Sequence, residues 1–327
     1  MNTASYPQHL PRRALGTTGL LVTPVCLGCC APLGDMPDTF GYSVPEDRAL
    51  ETLRATLNGP INFIDTAASY GDGESERRIG LVLREMGGVP DGVVLATKAD
   101  RDLQTGDFSG DQMRRSVERS LRLLGVDRLQ LVYLHDPEHA AFAELNAAGG
   151  AVEALVRLKE EGVIAHLGVA PGPIDLTIRF VETGAYEVAI THNRYTLVNR
   201  AAEPLLRICA ARGVAVANAA PYGSGMLAKG PDAYPRYAYQ DASPALIEKV
   251  RALAAICERH GVPLAAAALQ FSIRDPRIGT TIVGMTRPER LAQTAELATL
   301  MIPDTLWHEL EEVADPEAAD PEAARWG

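Results

Sequence analysis

The chain has 327 residues, a hydrophobic content of 46% and a formal net charge of −11 at pH 7. This length and content are sufficient for one large core, so we expect a single domain over residues 1–327. The acidic balance, without a basic stripe, argues against nucleic acid or an anionic membrane as a partner. No apolar run reaches the roughly 20 residues of a membrane helix and no signal-like segment begins the chain, which predicts a cytoplasmic protein.

Strands and helices are predicted in regular alternation along most of the chain. Residues 12–21 predict two short strands around a Gly-Thr-Thr-Gly turn. Apolar runs predict eight further strands at residues 22–27, 61–65, 92–98, 129–135, 164–170, 186–191, 214–219 and 280–283. Helical spacing predicts helices at residues 46–57, 76–86, 111–124, 151–161, 174–183, 201–212, 244–259, 263–273 and 289–297.

The predicted strands are continuous apolar runs, which is typical of strands buried on both faces of a parallel sheet. Eight strand–helix units in about 250 residues are the pattern of a (β/α)8 TIM barrel, with the N-terminal hairpin covering one end. A doubly wound open sheet is the alternative, but no second domain is apparent. Residues 221–243 are predicted as a long loop, and residues 314–327, which repeat ADPEA, as a flexible tail.

Polar side chains end three consecutive predicted barrel strands. Asp65, Lys98 and His135 stand at the ends of the second, third and fourth, and Tyr70 lies in the loop after the second. Catalytic residues of such barrels lie at the C-terminal ends of the strands, and neighbouring strands are about 4.8 Å apart. Each residue alone has a structural explanation, such as a loop cap or a core histidine. Together on one rim, they predict an active site.

These four residue types suit acid–base chemistry at an oxygen atom. A tyrosine has a reference pKa of about 10, and a nearby ammonium group lowers that value. We therefore expect Lys98, held by Asp65, to lower the pKa of Tyr70, so that Tyr70 transfers a proton near neutral pH. His135 would orient the same oxygen by hydrogen bonding. The four side chains hold no hydride source, so interconversion of a carbonyl and an alcohol requires a cofactor.

The motifs around these residues resemble those of a known family. DTAASYG contains Asp65 and Tyr70, ATK ends at Lys98, and LH ends at His135, in the order and spacing of the tetrad of the aldo-keto reductases. The resemblance runs from RALGTTGL near the N-terminus to the last predicted helix. It implies a barrel that binds NAD or NADP extended across its mouth without a Rossmann fold. In agreement, no GxGxxG motif lies between a predicted strand and helix.

The resemblance also implies a set of cofactor-binding positions. Residues 283–290, VGMTRPER, are similar to the stretch that holds the adenosine end, with Arg290 beside the adenine. The lysine that often contacts the 2′-phosphate is replaced by Gly284, with Arg287 as a candidate substitute, so the choice between NADP and NAD stays open. The implied set is Asn193, Ala219, Pro221, Gly223, Gly225, Gly284, Met285, Thr286, Arg290, Gln293 and Thr294.

Two further segments indicate a subgroup of the family. NRYTLVNR at 193–200 and NAAPYGSGML at 218–227 resemble the aldose 1-dehydrogenases that oxidise L-fucose or D-threo-aldoses, which have relatives acting on pyridoxal. We therefore predict NAD(P)-dependent oxidation of an aldose at C1 to a lactone. Reduction of aldehydes or ketones with NADPH is the main alternative. A nicotinamide-binding regulatory subunit and a Schiff-base lyase that uses Lys98 are alternatives from other classes.

The substrate pocket is predicted to contain Cys29, Cys30, Tyr133 and Tyr222. The two cysteines lack further ligands at matching spacing, so we expect no metal site. The chain has five cysteines, and this odd number indicates a reducing compartment. Its two tryptophans are few for a pocket that binds a large apolar molecule, which favours a polar substrate such as a sugar.

Overall fold

The structure is a computed structural model, and it describes residues 10–313. The strands are β1 (Arg13–Ala14), β2 (Leu21–Val22), β3 (Val25–Gly28), β4 (Phe63–Asp65), β5 (Val94–Ala99), β6 (Leu129–His135), β7 (Ile164–Ala170), β8 (Val188–His192), β9 (Ala215–Ala219), β10 (Arg236–Tyr237), β11 (Gln240–Asp241) and β12 (Ile278–Gly284). The helices are α1 (Cys30–Gly34), α2 (Pro37–Phe40), α3 (Glu46–Leu57), α4 (Glu74–Met86), α5 (Gly110–Leu124), α6 (Phe142–Leu145), α7 (Ala151–Glu160), α8 (Ile174–Glu182), α9 (Glu203–Arg212), α10 (Met226–Lys229), α11 (Pro244–Arg259), α12 (Leu264–Ile273), α13 (Pro288–Thr299) and α14 (Asp304–Val313).

Eight of the strands are paired in parallel and close into one barrel, in the order β12-β3-β4-β5-β6-β7-β8-β9. Each of the eight predicted barrel strands overlaps one of them. The helices pack around the outside of the barrel, where a large apolar cluster joins them to the strands. The predicted (β/α)8 TIM barrel is therefore confirmed.

The N-terminal hairpin closes one end of the barrel. Its strands β1 and β2 pair antiparallel, and Leu15 between them is buried in the apolar cluster inside the barrel. A Cβ atom on Gly16 would lie 2.9 Å from that of Ala215, the first residue of β9. The hairpin therefore covers the N-terminal ends of the strands and leaves the C-terminal ends open for a site.

The barrel interior is filled by side chains from several strands, including Phe63, Leu131 and Tyr133, all fully buried. The ring of Tyr133 lies against Gly168, its register partner on β7. A Cβ atom at that position would overlap the ring, so the glycine makes room for the tyrosine. Removing this apolar surface from water is the main favourable contribution to folding.

The ends of two helices follow from single residues. Ser109 accepts the N–H of Gln112 at 3.2 Å and begins α5, whereas Gly125, with a φ of +70°, ends it in the left-handed conformation. Ser243 begins α11 in the same way by accepting the N–H of Leu246.

Several boundaries differ from the prediction. β3 begins at Val25 rather than at residue 22, because Pro24 has no N–H group for a ladder hydrogen bond. Val22 belongs to the hairpin instead. Asn62 precedes β4, and its side chain accepts the N–H of Thr23 at 2.7 Å, which ties the hairpin to the barrel.

The region after β9 has more structure than periodicity predicts, namely α10 and the paired strands β10 and β11. Helix α14 was also missing from the predicted helices, although Leu306, Trp307 and Leu310 form a buried face at helical spacing. The predicted tail at 314–327 lies outside the described residues. Within residues 10–313, no single helix has the length and apolar character to cross a membrane, although α11 and α12 taken together, bent by 99°, meet that test.

Candidate active site

Asp65, Lys98 and Tyr70 form a connected group at the ends of β4 and β5. Lys98 Nζ donates to Asp65 Oδ1 at 2.5 Å, to the carbonyl of Thr66 at 2.8 Å and to Tyr70 Oη at 3.2 Å. It also lies 4.7 Å from the centroid of the tyrosine ring. The side chains of Lys98 and Asp65 are 3% and 4% exposed. Because water is excluded, their charges interact more strongly than at the surface.

The turn after Tyr70 explains how the loop reaches this position. Gly71 has a φ of +61°, and a Cβ atom there would overlap the carbonyl oxygen of Gly34 in α1. Glycine therefore allows the loop to fold back against α1. Gly73 follows with a φ of +88° and precedes α4. The two glycines thus hold the tyrosine between the barrel and the first helical layer.

Burial dominates the ionisation of this group. Burial raises the pKa of Tyr70 well above its ordinary value of 10.0, and the negative charge of Asp65 adds to the effect. Burial also raises the pKa of Asp65, although the ammonium of Lys98 opposes it. The expectation that Lys98 lowers the pKa of Tyr70 is therefore wrong, because lost hydration of the phenolate outweighs the attraction. Tyr70 carries its proton at neutral pH.

His135 is held by a carboxylate that the sequence reasoning missed. Its Nδ1 lies 2.6 Å from Asp100 Oδ1 and 3.4 Å from Ser69 Oγ, and the N–H of Ser69 donates to Asp100 Oδ2 at 2.8 Å. Burial lowers the pKa of His135, but the carboxylates of Asp100 and Asp136 outweigh burial, so that the pKa is raised. Asp100 follows Lys98 by two positions, and residues two apart on a strand point to the same face. This spacing could have predicted that Asp100 points toward the same site as Lys98.

The structure brings the four predicted catalytic residues to one patch at the barrel mouth. The rings of Tyr70 and His135 meet edge to face, with centroids 5.8 Å apart. A substrate oxygen between them would contact a proton carrier and a hydrogen-bond donor at once. The arrangement is thus suited to proton transfer at a carbonyl or alcohol oxygen.

The predicted pocket residues separate into two pairs. Cys30 and Tyr222 are partly exposed, whereas Cys29 and Tyr133 have no exposed surface. The last two are core side chains and do not line an open pocket, because packing against neighbouring elements covers them. Burial raises the pKa of Cys30 to about 12, so its thiol remains protonated at neutral pH. Among residues 10–313, no three His, Cys, Asp or Glu side chains are grouped to hold a metal ion.

The predicted cofactor residues after β8 and β9 are mostly buried. The side chain of Asn193 is within hydrogen-bond distance of His192 Nδ1 and Ser224 Oγ, at 3.1 and 3.3 Å, so it supports the next loop. Ala219, at the end of β9, is 9% exposed. The remaining predicted residues of this region, Pro221, Gly223 and Gly225, follow in the loop, where Pro221 and Gly223 are buried and Gly225 is partly exposed.

The predicted residues after β12 are divided between surface and core. Gly284, Arg290 and Gln293 are exposed and Thr286 is partly exposed, and the space where a Cβ atom of Gly284 would lie is open. Met285 and Thr294 are 1% and 5% exposed. The side chains of these two residues therefore pack in the protein and offer little surface to a ligand.

A groove of about 470 Å³ lies at the N-terminus of α13. The residues that line it are Arg48, Glu51, Arg287, Pro288, Glu289 and Gln293. The N–H groups of a helix N-terminus and arginine side chains both favour phosphate. Arg48, Arg287 and the first N–H groups of α13 would hold a phosphate group there, whereas the carboxylates of Glu51 and Glu289 would oppose it.

Residues 32–315 match the family model described as Aldo/keto reductase family. The chain is 34% identical over 297 residues to D-threo-aldose 1-dehydrogenase of Pseudomonas sp, covering 83% of this chain and 89% of that protein. It is 31% identical over 312 residues to L-galactose dehydrogenase of Arabidopsis thaliana, covering 93% and 94%. A solved aldo-keto reductase of Bacillus halodurans, with 22% identity and a TM-score of 0.78 over 97% of this chain and 100% of its own, shares the fold.

The family match spans most of the chain and includes the segments that carry Asp65, Tyr70, Lys98 and His135. The resemblance drawn from the sequence motifs is therefore confirmed. The chain belongs to the aldo/keto reductase family and is an NAD(P)-dependent oxidoreductase that interconverts a carbonyl and an alcohol.

Proposed function

We propose that the chain oxidises an aldose at C1 to the corresponding lactone, with Tyr70 as the proton carrier. The observation that carries the proposal is the hydrogen-bonded series from Asp65 through Lys98 to Tyr70, with distances of 2.5 and 3.2 Å. The two relatives are named as dehydrogenases of D-threo-aldoses and of L-galactose, which supports an aldose as the substrate class.

The proposed reaction assigns one task to each group. In a cyclic aldose, C1 carries a hydrogen and a hydroxyl group, and oxidation removes a hydride from C1 and a proton from O1. The nicotinamide ring supplies the hydride acceptor when it is bound. Tyr70 Oη takes the proton from O1 as the C1=O double bond of the lactone forms. Lys98 Nζ, 3.2 Å from Oη, stabilises the phenolate form that this step requires.

His135 holds O1 from the other side. Asp100 accepts a hydrogen bond from Nδ1 at 2.6 Å and thereby fixes the ring with Nε2 available for a substrate oxygen. Burial lowers the pKa of His135, but the carboxylates around the ring, chiefly that of Asp100, outweigh burial and raise it. A protonated ring donates from Nε2 and positions O1 beside Tyr70.

A second candidate function, reduction of aldehydes or ketones with a reduced cofactor, is supported by the raised pKa of Tyr70. A protonated phenol is the form that donates a proton to a carbonyl oxygen. The two directions depend on pH differently, because oxidation needs the phenolate and reduction needs the phenol. Since the pKa of Tyr70 is raised well above 10.0, we expect the rate of aldose oxidation to rise from pH 7 toward alkaline pH, whereas the rate of aldehyde reduction stays level over the same range.

A substrate panel tests the proposal. The protein is assayed with L-fucose, L-galactose, D-glucose and a simple aldehyde, each with NAD and NADP in both redox states. We expect reduced cofactor to appear with at least one aldose, together with lactone trapped by hydroxylamine. No turnover of any aldose with either oxidised cofactor would overturn the proposal. Turnover of aldehydes alone would support the reductase, and tight cofactor binding without turnover would support a regulatory subunit.

We also propose a cytoplasmic protein with one barrel domain. Its five cysteines, at positions 26, 29, 30, 209 and 257, are all free thiols, which agrees with a reducing compartment. Non-reducing mass analysis of protein purified with a thiol-blocking reagent would detect any disulfide, and five blocked thiols are expected.

A further inference from the structure

Asp136 follows His135 and has an unusual backbone conformation. Its φ is +43°, in the left-handed region that residues other than glycine rarely adopt. Its N–H donates to the carbonyl of Ala170 at 3.1 Å, so the end of β7 helps to hold it there. Its side chain is 43% exposed. The backbone of this residue is thus anchored to the end of β7, and its carboxylate lies partly exposed at the barrel mouth.

This carboxylate lies on the substrate side of the imidazole. Asp136 Oδ1 is 3.5 Å from His135 Nε2, whereas Nδ1 of the same ring is occupied by Asp100 at 2.6 Å. Burial is the main cause that raises the pKa of Tyr70 and of Cys30, and the charge of Asp136 adds to both shifts. Asp136 therefore acts on the same small volume as the proposed proton carrier.

Asp136 differs from the neighbouring carboxylates in its hydrogen bonding. Asp65 is paired with Lys98 at 2.5 Å, and Asp100 and Glu138 each accept a backbone N–H, at 2.8 and 2.9 Å. In the described part of the chain, no lysine or arginine lies within 4.0 Å of the carboxylate of Asp136. Its oxygens thus keep acceptor capacity for a ligand that donates hydrogen bonds.

We propose that Asp136 accepts a hydrogen bond from the substrate hydroxyl next to the reacting carbon, and so selects hydroxylated substrates. The inference rests on the proposed function. With O1 of an aldose held by Tyr70 and His135, the hydroxyl on C2 is the next donor along the sugar. An aldehyde without that hydroxyl displaces the water molecules that donate hydrogen bonds to the carboxylate of Asp136 and supplies no donor in their place. Its binding is therefore disfavoured.

The variant Asp136→Asn tests the contact without a change of size. Asparagine tolerates the left-handed conformation, so the variant is expected to fold. We expect kcat/KM for an accepted aldose to fall about 5- to 10-fold, mainly through a higher KM, because a hydrogen bond to a charged carboxylate becomes a weaker one to a neutral amide oxygen. For the 2-deoxy form of the same aldose, which lacks the hydroxyl, we expect the substitution to lower kcat/KM less than about threefold.

Asp72→Asn is the matched control. Asp72 also has a positive φ, +50°, and its side chain is 79% exposed in the loop after Tyr70. Because it lies outside the group around His135, its variant should keep wild-type kcat/KM for both sugars. Cofactor titration and thermal unfolding of both variants show whether each is folded.

Reduction of small aldehydes tests the same contact without lactone formation. Glyceraldehyde has a hydroxyl next to its carbonyl, and propanal does not. We expect Asp136→Asn to lower kcat/KM for glyceraldehyde about tenfold and to leave propanal unchanged or faster. Failure of the wild-type enzyme with every aldose would overturn the proposed function, while this pair would still test Asp136. Equal losses with hydroxylated and deoxy substrates, or no loss with either, would overturn the inference.

Discussion

The two sides of the barrel mouth hold their polar groups differently. The proposed catalytic side, called the catalytic side below, consists of Asp65, Lys98, Asp100 and His135 at the ends of β4, β5 and β6, and two ion pairs of 2.5 and 2.6 Å join these residues. The proposed cofactor side, called the cofactor side below, consists of the end of β9 with residues 221–225, the end of β12 and the N-terminus of α13. There the strand ends carry small side chains, and an open groove of about 470 Å³ follows.

The difference corresponds to what each side has to do. Proton transfer requires atoms held in fixed positions at hydrogen-bond distance, so the catalytic side is buried and cross-linked. A dinucleotide brings its own polar surface, so the cofactor side offers backbone groups, small side chains and space. Substitutions on the catalytic side should therefore have larger effects than substitutions on the cofactor side.

Tyr70→Phe should have the largest effect, because it removes the proton carrier and little else. We expect turnover to fall about 10³-fold, within the range for general acid–base catalysis, with cofactor Kd changed less than about twofold. Lys98 keeps Asp65 Oδ1 and the carbonyl of Thr66 as partners, so the fold should be retained. Steady-state assays and cofactor fluorescence measure the two quantities. A turnover of the variant within tenfold of wild type would show that Tyr70 is not the proton carrier.

Lys98→Met should destabilise the protein by about 3–5 kcal/mol, because it leaves the carboxylate of Asp65 buried and unpaired. Urea unfolding followed by circular dichroism measures the loss. The control is the double variant Asp65→Asn/Lys98→Met, in which neither charge remains and the loss should be smaller than in the single variant. A double variant less stable than the single one would mean that packing, not charge, holds this part of the barrel.

Glu76 lies behind the catalytic side, fully buried, and its Oε1 accepts the hydroxyl of Thr97 at 2.6 Å. Burial raises the pKa of its carboxyl from 4.5 to about 7. The folded state therefore keeps the proton to higher pH than the unfolded state, so stability falls by about 3 kcal/mol as pH rises through this window.

In the variant Glu76→Gln, the side chain at position 76 does not ionise. The variant should resemble wild type near pH 4.5 and be the more stable protein at pH 8, by up to about 3 kcal/mol. The unfolding free energies of the wild type and the variant at the two pH values measure this change in their stability difference. The same wild-type-to-variant difference at both values would be inconsistent with a carboxyl whose pKa is raised by burial.

The catalytic side was largely predictable from the sequence, because Asp65, Lys98 and His135 each end an apolar run. Asp100 was missed, since an acid just after such a run is equally well explained as a loop residue. Its role depends on the direction of one side chain at the end of β5. The ionisation of Tyr70 was predicted with the wrong sign, because the depth of burial is not visible in a motif.

The cofactor side was less predictable. The family resemblance indicates positions but not their exposure, and the structure buries Met285, just after β12, and Thr294, on the inner face of α13. The loop after β9 folds through contacts far apart in sequence. In one of these, the hydroxyl of Tyr237 donates to the carbonyl of Asn193 at 2.8 Å. Local periodicity carries no signal for such a contact.

Gly223→Ala tests the loop on the cofactor side. Gly223 has a φ of +56°, and a Cβ atom there would overlap the ring of Tyr237. Gly87→Ala is the control, because Gly87 has a φ of +80° and open space around its Cβ position. We expect Gly223→Ala to be less stable than the control by about 1–3 kcal/mol, the usual result of overpacking, and to bind cofactor more weakly. Equal stability would indicate that the ring moves without cost.

Arg287→Ala should have the smallest effect, because Arg287 is exposed beside the groove at the N-terminus of α13. If this groove holds the adenosine end, the arginine contributes a screened attraction to a 2′-phosphate. We expect the Kd for NADP to rise about fivefold, or about 1 kcal/mol, and the Kd for NAD to change less. Arg114→Ala is the control, since Arg114 lies on α5, is paired with Glu161 and is not among the residues that line the groove. The NADP effect should also shrink as salt increases, because the charges are exposed. If the loss of affinity is equal for NADP and NAD, Arg287 lies near the pyrophosphate that both cofactors share. In that case Arg287 does not replace the lysine that Gly284 lacks, and it does not affect the choice between the two cofactors.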